Sequence, residues 1–268
     1  MTLTLVHTLT VFSSFLGISL CGIFLLAQLR RDNSVMDIAY GPLFFSNALA
    51  TMWWTRGTSP LTTLIVGLIG LWSTRLAIRI YRKNHGKPED ARYRAWRTAW
   101  TAHGQFYFLV RSFLQINLLQ GIIIVGVALP VMIAASTTAQ PPFLVLVCGI
   151  ALYVAGITIE SIADYQLDQF LARKRAGTET AVLMTTGLFH YARRPNYFGE
   201  TMIWWGLAII VLPLPFGYLA LISPLLITYI VTKVTGPMLE KIFLDKYPIE
   251  YREYMRTTSY FIPWVPKK

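Results

Sequence analysis

The sequence predicts an all-α, polytopic membrane protein of about seven transmembrane helices, and three observations carry that reading. Hydrophobic residues fill 54% of the 268 positions and charged ones only 14%, against about 25% charged in an ordinary soluble domain, so water is not the main solvent of the folded chain. Apolar runs close to the roughly 20 residues that cross a bilayer recur along the whole length. Basic residues gather in every second connection between those runs.

Taken in order, the runs lie near residues 3–29, 35–55, 60–80, 111–135, 142–163, 197–212 and 216–235. Pro213 and Pro215 divide the last two. Pro and Gly inside such runs are tolerated where neighbouring helices receive the freed backbone groups. Arg30 and Arg31 follow the first span, and Arg79, Arg82, Lys83, Lys87, Arg92, Arg94 and Arg97 follow the third. Arg173, Lys174, Arg175, Arg193 and Arg194 follow the fifth, and Lys241, Lys246, Arg252, Arg256, Lys267 and Lys268 the seventh. The turns after the second, fourth and sixth spans hold one cation between them, Arg56. The amino terminus is therefore expected outside and the carboxyl terminus in the cytoplasm.

A net charge of +11 spread over alternate loops is a topology signal and an attraction to anionic headgroups, not a nucleic-acid surface. Residues 1–8 carry no basic leader and the Arg pair follows the apolar run, which argues against a cleaved signal peptide. Cys21 and Cys148 sit in separate spans, so neither a disulfide framework nor a metal site is expected. A chain of this kind suits a bacterial inner membrane.

No repeat and no long linker interrupts the chain, so residues 1–268 are read as one domain. Two loops, Tyr81 to Tyr107 and Asp164 to Pro195, are too long and polar to be simple connectors, and the tail from Gly236 holds a helix from about Met238 to Met255. All three share the predicted cytoplasmic side, where they can close over one site.

Soluble nucleotide and hydrolase signatures are absent: there is no GxGxxG, GxxxxGK, GxSxG, HExxH or CxxC. What remains is ionisable residues where lipid should forbid them, which are functional-site candidates by default. The densest group runs from Gly187 to Glu200 and on into Trp204. Pro195 suits the first turn of a helix, which places Arg193 and Arg194 before a helix start that already favours anions. Two guanidiniums there offer bidentate phosphate recognition, while Asn196 and Glu200, four apart, can hydrogen-bond an amide or a ribose. The bland alternative makes the Arg pair a topology anchor, Asn196 a cap and Glu200 a packed polar residue.

A second group, Glu160, Asp164 and Asp168, forms an acidic stripe at i, i+4 and i+8 that Lys174, Arg175, Arg193 or Arg194 can answer. The alternative is a solvated helix extension, the preferred reading for Asp168 alone. The tail adds Glu240, just inside the seventh span, and aromatic residues suited to an interfacial helix. In the amino-terminal half, Asp37 with Tyr40 on the second span and Arg75 with Arg79 on the third are the remaining polar groups. Glu89, Asp90, Arg92 and Tyr93 read as a surface turn.

Over roughly the last 110 residues the chain resembles the steroid 5-alpha-reductase superfamily, most closely its bacterial branch known as domain of unknown function 1295. The matching residues are Glu160, Ala163-Asp164-Tyr165-Gln166-Leu167, Gly187-Leu188-Phe189, Pro195-Asn196-Tyr197-Phe198-Gly199-Glu200, Trp204, Tyr247-Pro248 and Phe261-Ile262-Pro263-Trp264. The resemblance implies seven helices around a lipid-facing cavity, with NADPH held by the later helices, here approximately residues 155–268. It implies hydride transfer to the double bond of an enone-type, steroid-like or lipid substrate entering from the bilayer. Carried over by position, it implies cofactor contacts at Asp164, Tyr191, Asn196, Tyr197, Glu200 and Trp204, with Arg75, Glu160, Arg193, Arg194 and Glu240 in the same set. Glu160 stands where the reductases commonly have Asn. Steroid reductases pair a Tyr on the third helix, three residues before an Arg, with a Glu on the second. If Arg75 matches that Arg, the Tyr position is Trp72, which leaves Asp37 and Tyr40 as the catalytic candidates.

Membrane isoprenylcysteine methyltransferases, which bind S-adenosylmethionine, share the motif style. This chain has Arg194-Pro195-Asn196-Tyr197-Phe198-Gly199 without a His before Pro, and Glu240-Lys241 where two Glu are usual. A non-catalytic lipid-binding protein is the third reading, and it would not need an Arg pair beside a helix start.

Overall fold

The computed structural model describes residues 2–267; Met1 and Lys268, the latter counted above among the tail cations, lie outside them. The described residues are helical throughout, without a β-strand and with one isolated bridge, Ala192 to Ser259. They form two compact units, one reaching to residue 140 and including 214–219, the other of residues 141–213 and those from 220 onward.

In the first unit, α1 (Thr2–Arg30), α2 (Val35–Trp54) and α3 (Pro60–Asn84) pack as neighbours. Gly41 allows the closest approach of α2 to α3, since a Cβ there would stand 3.0 Å from the Ser73 carbonyl. Beyond α3 the expected polar loop is largely helical: Asp90 caps α4 (Ala91–Thr101) by accepting from the Arg92 N–H. The helix expected at 111–135 instead starts at Gly104, whose φ of +100° suits glycine. It runs as α5 (Gln105–Ser112), a π-turn and α6 (Leu119–Val127). It stops there because Pro130 lacks an N–H and opens a separate short helix, α7 (Leu129–Ala135), every residue of which is buried.

In the second unit, α8 (Phe143–Arg175) continues past the expected end of its apolar run without a break, so the first part of the loop predicted from Asp164, as far as Arg175, is helix. Its partner α9 (Pro195–Val211) begins at Pro195, as the first-turn preference for proline predicts. Then come α10 (Ile222–Tyr229), a π-turn, α11 (Gly236–Lys246) and α12 (Pro248–Thr257). The tail is thus two helices, not the single one expected. Pro248 pushes Tyr247 out of the helical region, to φ −136° and ψ 66°.

Among the described residues, five helices are long and apolar enough to cross a membrane: Thr4–Arg30, Pro60–Asn84, Gln105–Val127, Phe143–Arg175 and Gly217–Lys246. The two other expected spans are helices outside that set. Asp37 and Asn47 dilute the apolar run of α2, and α9 is only 17 residues long.

Candidate functional site

The polar groups of the second unit converge on the α8–α9 contact. The helices meet glycine to glycine. A Cβ on Gly199 would stand 2.7 Å from the Gly156 carbonyl, and one on Gly206 would stand 2.6 Å from that of Gly149. Without a hydrophobic driving force between helices in lipid, such small-residue approach is what holds them. Gly199 also lies against Glu160, whose amide nitrogen would be 2.6 Å from the added Cβ. Glu200 thus directly follows, and Asn196 precedes by three residues, the glycine that touches Glu160. Glu160 and Asp164 are both buried, Trp204 is fully buried, and Asn196, Tyr197 and Glu200 are half-buried. Asp168, farther along α8, is exposed. The sequence-predicted acids thus separate into an inner pair and an outer one.

The segment between the helices is pinned at both ends. Gly187 takes φ +61° against the side chain of Gln166, whose Oε1 accepts from the Leu188 N–H at 2.9 Å. Downstream, the carboxyl-terminal segment runs beside residues 191–193. The Arg193 N–H donates to the Ser259 carbonyl at 2.8 Å, and the Trp264 N–H to that of Tyr191 at 3.0 Å. Tyr254 Oη donates to the Phe189 carbonyl at 2.5 Å, and its burial pushes the phenol up from its ordinary range. Tyr191 itself is exposed.

The Arg pair divides. Arg193 is buried and taken up by protein: Nε and Nη2 donate to Glu240 Oε1 at 2.9 and 2.6 Å, and Nη1 to the Met255 and Thr258 carbonyls at 3.2 and 2.6 Å. Arg193 and Glu240, both expected at the cofactor, thus bind each other and the tail. Arg194 packs its guanidinium over the Phe243 ring at 5.2 Å, with Nε and Nη2 buried and no acceptor among the described residues. It faces a cavity of about 350 Å³ that α8, residues 182–184, α11 and α12 enclose. Lys174 Nζ, at the same cavity, donates to the Ala181 and Val182 carbonyls and so does not answer the acids.

The amino-terminal candidates lie in the first unit. Asp37 accepts from Tyr93 Oη at 2.5 Å and pairs with Arg92 at 3.2 Å. Tyr40 packs edge-on against Phe44, and Trp72 packs against the same ring. Arg75 is half-buried on α3. The expected surface turn at 89–93 is exposed at Arg92 but half-buried at Glu89 and Asp90 and buried at Tyr93, because it docks on the start of α2. Glu89 receives both the Asn33 N–H at 2.8 Å and a forked contact from Arg97, and the Asp90 N–H donates to Ser34 Oγ. Burial raises the Glu89 carboxyl, but the Arg97 and Asn33 bonds outweigh it and hold it below the usual carboxylate range. Its stabilisation is therefore full above the ordinary Glu value of about 4.3 and lost as pH falls through the lower folded value. Glu89→Ala should cost about 1–3 kcal/mol near neutrality. In detergent melts, the gap to the parent should close as pH drops below about 4. A gap that stays constant with pH would show that the carboxylate does not hold the turn in place.

Among the described residues, no cluster of three His, Cys, Asp or Glu side chains could hold a metal ion.

Apolar helices of this length with a polar site built between them define an integral, multi-pass membrane protein. The chain belongs to the family described as protein of unknown function (DUF1295), whose model matches residues 23–258. No curated protein and no solved structure matches it.

Proposed function

We propose that this protein is a membrane-embedded NADPH-dependent reductase of an activated C=C bond in a hydrophobic, enone-type substrate. In this reading the chain crosses a bacterial inner membrane seven times, amino terminus outside and carboxyl terminus in the cytoplasm, as the cations of alternate connections favour. The observation that carries it is the inner acid pair: Glu160 and Asp164 are buried one turn apart on α8, and Glu160 packs against Gly199, the residue before Glu200 on α9. Acceptors packed this deep suit ribose hydroxyls and a carboxamide N–H, and they stand beside the first turn of α9, the positive end of its dipole. The resemblance to steroid 5-alpha-reductases supports the same set. Bound NADPH would supply the hydride. Glu160, Asp164, Asn196, Glu200 and Trp204 would hold and orient it, and the close glycine contact would exclude water.

Purified protein should bind NADPH, measured by calorimetry, and Asn196→Ala or Glu200→Gln should each weaken binding about tenfold or more. A buried group left without its partner costs about 1–3 kcal/mol, and about 1.4 kcal/mol is one decade. Asp168→Asn, at an exposed position, should change binding little. Folded Asn196 and Glu200 variants that bind like the parent would remove the site. Tight S-adenosylmethionine binding with no response to NADPH would instead favour a methyltransferase of the isoprenylcysteine type.

A further inference from the structure

The cavity beside Arg194 shares only the two arginines with the set expected at the cofactor. Glu160, Asp164, Asn196, Glu200 and Trp204 are not among its lining residues. Its charges are all of one sign: Lys174, Arg193, Arg194 and Lys246 line it, and no carboxylate does. Glu240, which Arg193 holds, is not part of the lining.

The rest of the lining is aliphatic and aromatic. No Asn, Gln, Ser or Thr side chain is present, and the tyrosines are partly engaged, Tyr254 with the Phe189 carbonyl and Tyr251 with Glu240 at 3.5 Å. A nucleoside would bring a purine edge and ribose hydroxyls into such a space and leave them without partners, which is costly. An apolar body with one acidic end would leave none. Arg194 supplies the counter-charge, because two of its buried nitrogens have no protein acceptor and a guanidinium fork matches a carboxylate or phosphate.

The rim has the same character. Leu171, Val182 and Ile242 line the cavity and remain 40%, 37% and 52% exposed, so its mouth is apolar apart from the exposed Lys246. At about 350 Å³ the cavity lies near the small end of the roughly 300–1,000 Å³ of small-molecule sites, room for one chain and not for a two-chain lipid.

We propose that this cavity is a binding site for a single-chain amphipathic acid, its apolar body lodged among Phe170, Leu183 and Phe243 and its acid group paired with Arg194. The site goes beyond the reductase reading and stands or falls without it. Purified protein in nanodiscs of zwitterionic lipid should bind radiolabelled dodecanoate and dodecyl phosphate saturably above empty nanodiscs, and dodecanol at least tenfold more weakly. Arg194→Gln should remove that preference for the acids. Leu171→Trp, which narrows the cavity from its exposed rim, should lower binding of all three chains while the protein still melts cooperatively.

Equal binding of acid and alcohol would overturn the proposal, as would a folded Leu171→Trp that binds like the parent. Competition from nanodiscs doped with anionic phospholipid would assign the site to bulk membrane lipid, and competition from NADPH would assign it to the cofactor. Either result would also overturn the proposal. Failure to bind NADPH while dodecanoate binding persists would sink the reductase reading alone.

Discussion

Replacing Arg193 with Ala is expected to release the carboxyl-terminal segment and to destabilise the second unit by about 3–5 kcal/mol, the usual cost of breaking a buried ion pair from one side. The side chain is 7% exposed and ties three parts of the chain together: the connection into α9 through its own position, α11 through Glu240, and the end of α12 through two backbone carbonyls. Its removal leaves a half-buried carboxylate and two carbonyls short of donors at once. Arg193→Lys should recover only part of the loss, since an ammonium cannot fork between Glu240 and the carbonyls. Limited proteolysis should cut Arg193→Ala between residues 255 and 267 under conditions that leave the parent whole, and its melting temperature in detergent should fall. An alanine variant that resists cleavage and melts with the parent would show that the backbone hydrogen bonds of residues 191–193 hold the tail by themselves.

The second large effect is expected at Gly156 and Gly206. Each faces backbone of the opposite helix, so an added methyl cannot be accommodated by turning a side chain. A Cβ on Gly156 would stand 2.7 Å from the Gly199 carbonyl and 2.8 Å from the Ile203 nitrogen, and the helices must part. Overpacking of this kind costs about 1–3 kcal/mol per site. Gly156→Ala and Gly206→Ala should both lower the melting temperature, and Gly156→Ala should also weaken ligand binding because Glu160 lies one turn on. The double variant Gly156→Ala with Gly199→Ala should cost less than the sum, since the two glycines face each other and one separation serves both. Strict additivity would mean that the helices do not meet there.

The same contact shows where the sequence was informative. The apolar runs announced α1, α3 and α8 because lipid imposes length and composition directly on a helix. The turn at Pro195 was equally legible, as local backbone chemistry decides it. Pro130 and Pro248 carried similar signals, but hydrophobicity or helical periodicity on both sides masked them, and each divides a helix expected to be whole. What the sequence could not disclose was tertiary. Gly149 and Gly156 are seven apart, as are Gly199 and Gly206, yet nothing local says that the pairs meet. Arg193 and Arg194 are chemically identical neighbours, and only Glu240, 47 residues away, tells them apart. Glu89 and Tyr93 read as solvent-facing because their burial depends on Asn33 and Asp37, more than 50 positions earlier.

One dimension of α8 carries a mechanical consequence. Its 33 residues make a rod of about 50 Å at 1.5 Å per residue, whereas the hydrocarbon layer is about 30 Å thick. If residues 143–163 occupy that layer, the remaining twelve, Asp164 to Arg175, stand about 18 Å beyond it as one uninterrupted lever. Leu167, Phe170, Leu171 and Lys174 are carried on that arm, so a tilt of the buried shaft swings the cavity wall through an arc that grows with distance from the pivot. Changes in bilayer thickness, which helices meet by tilting, would therefore reach the cavity as a change in its width.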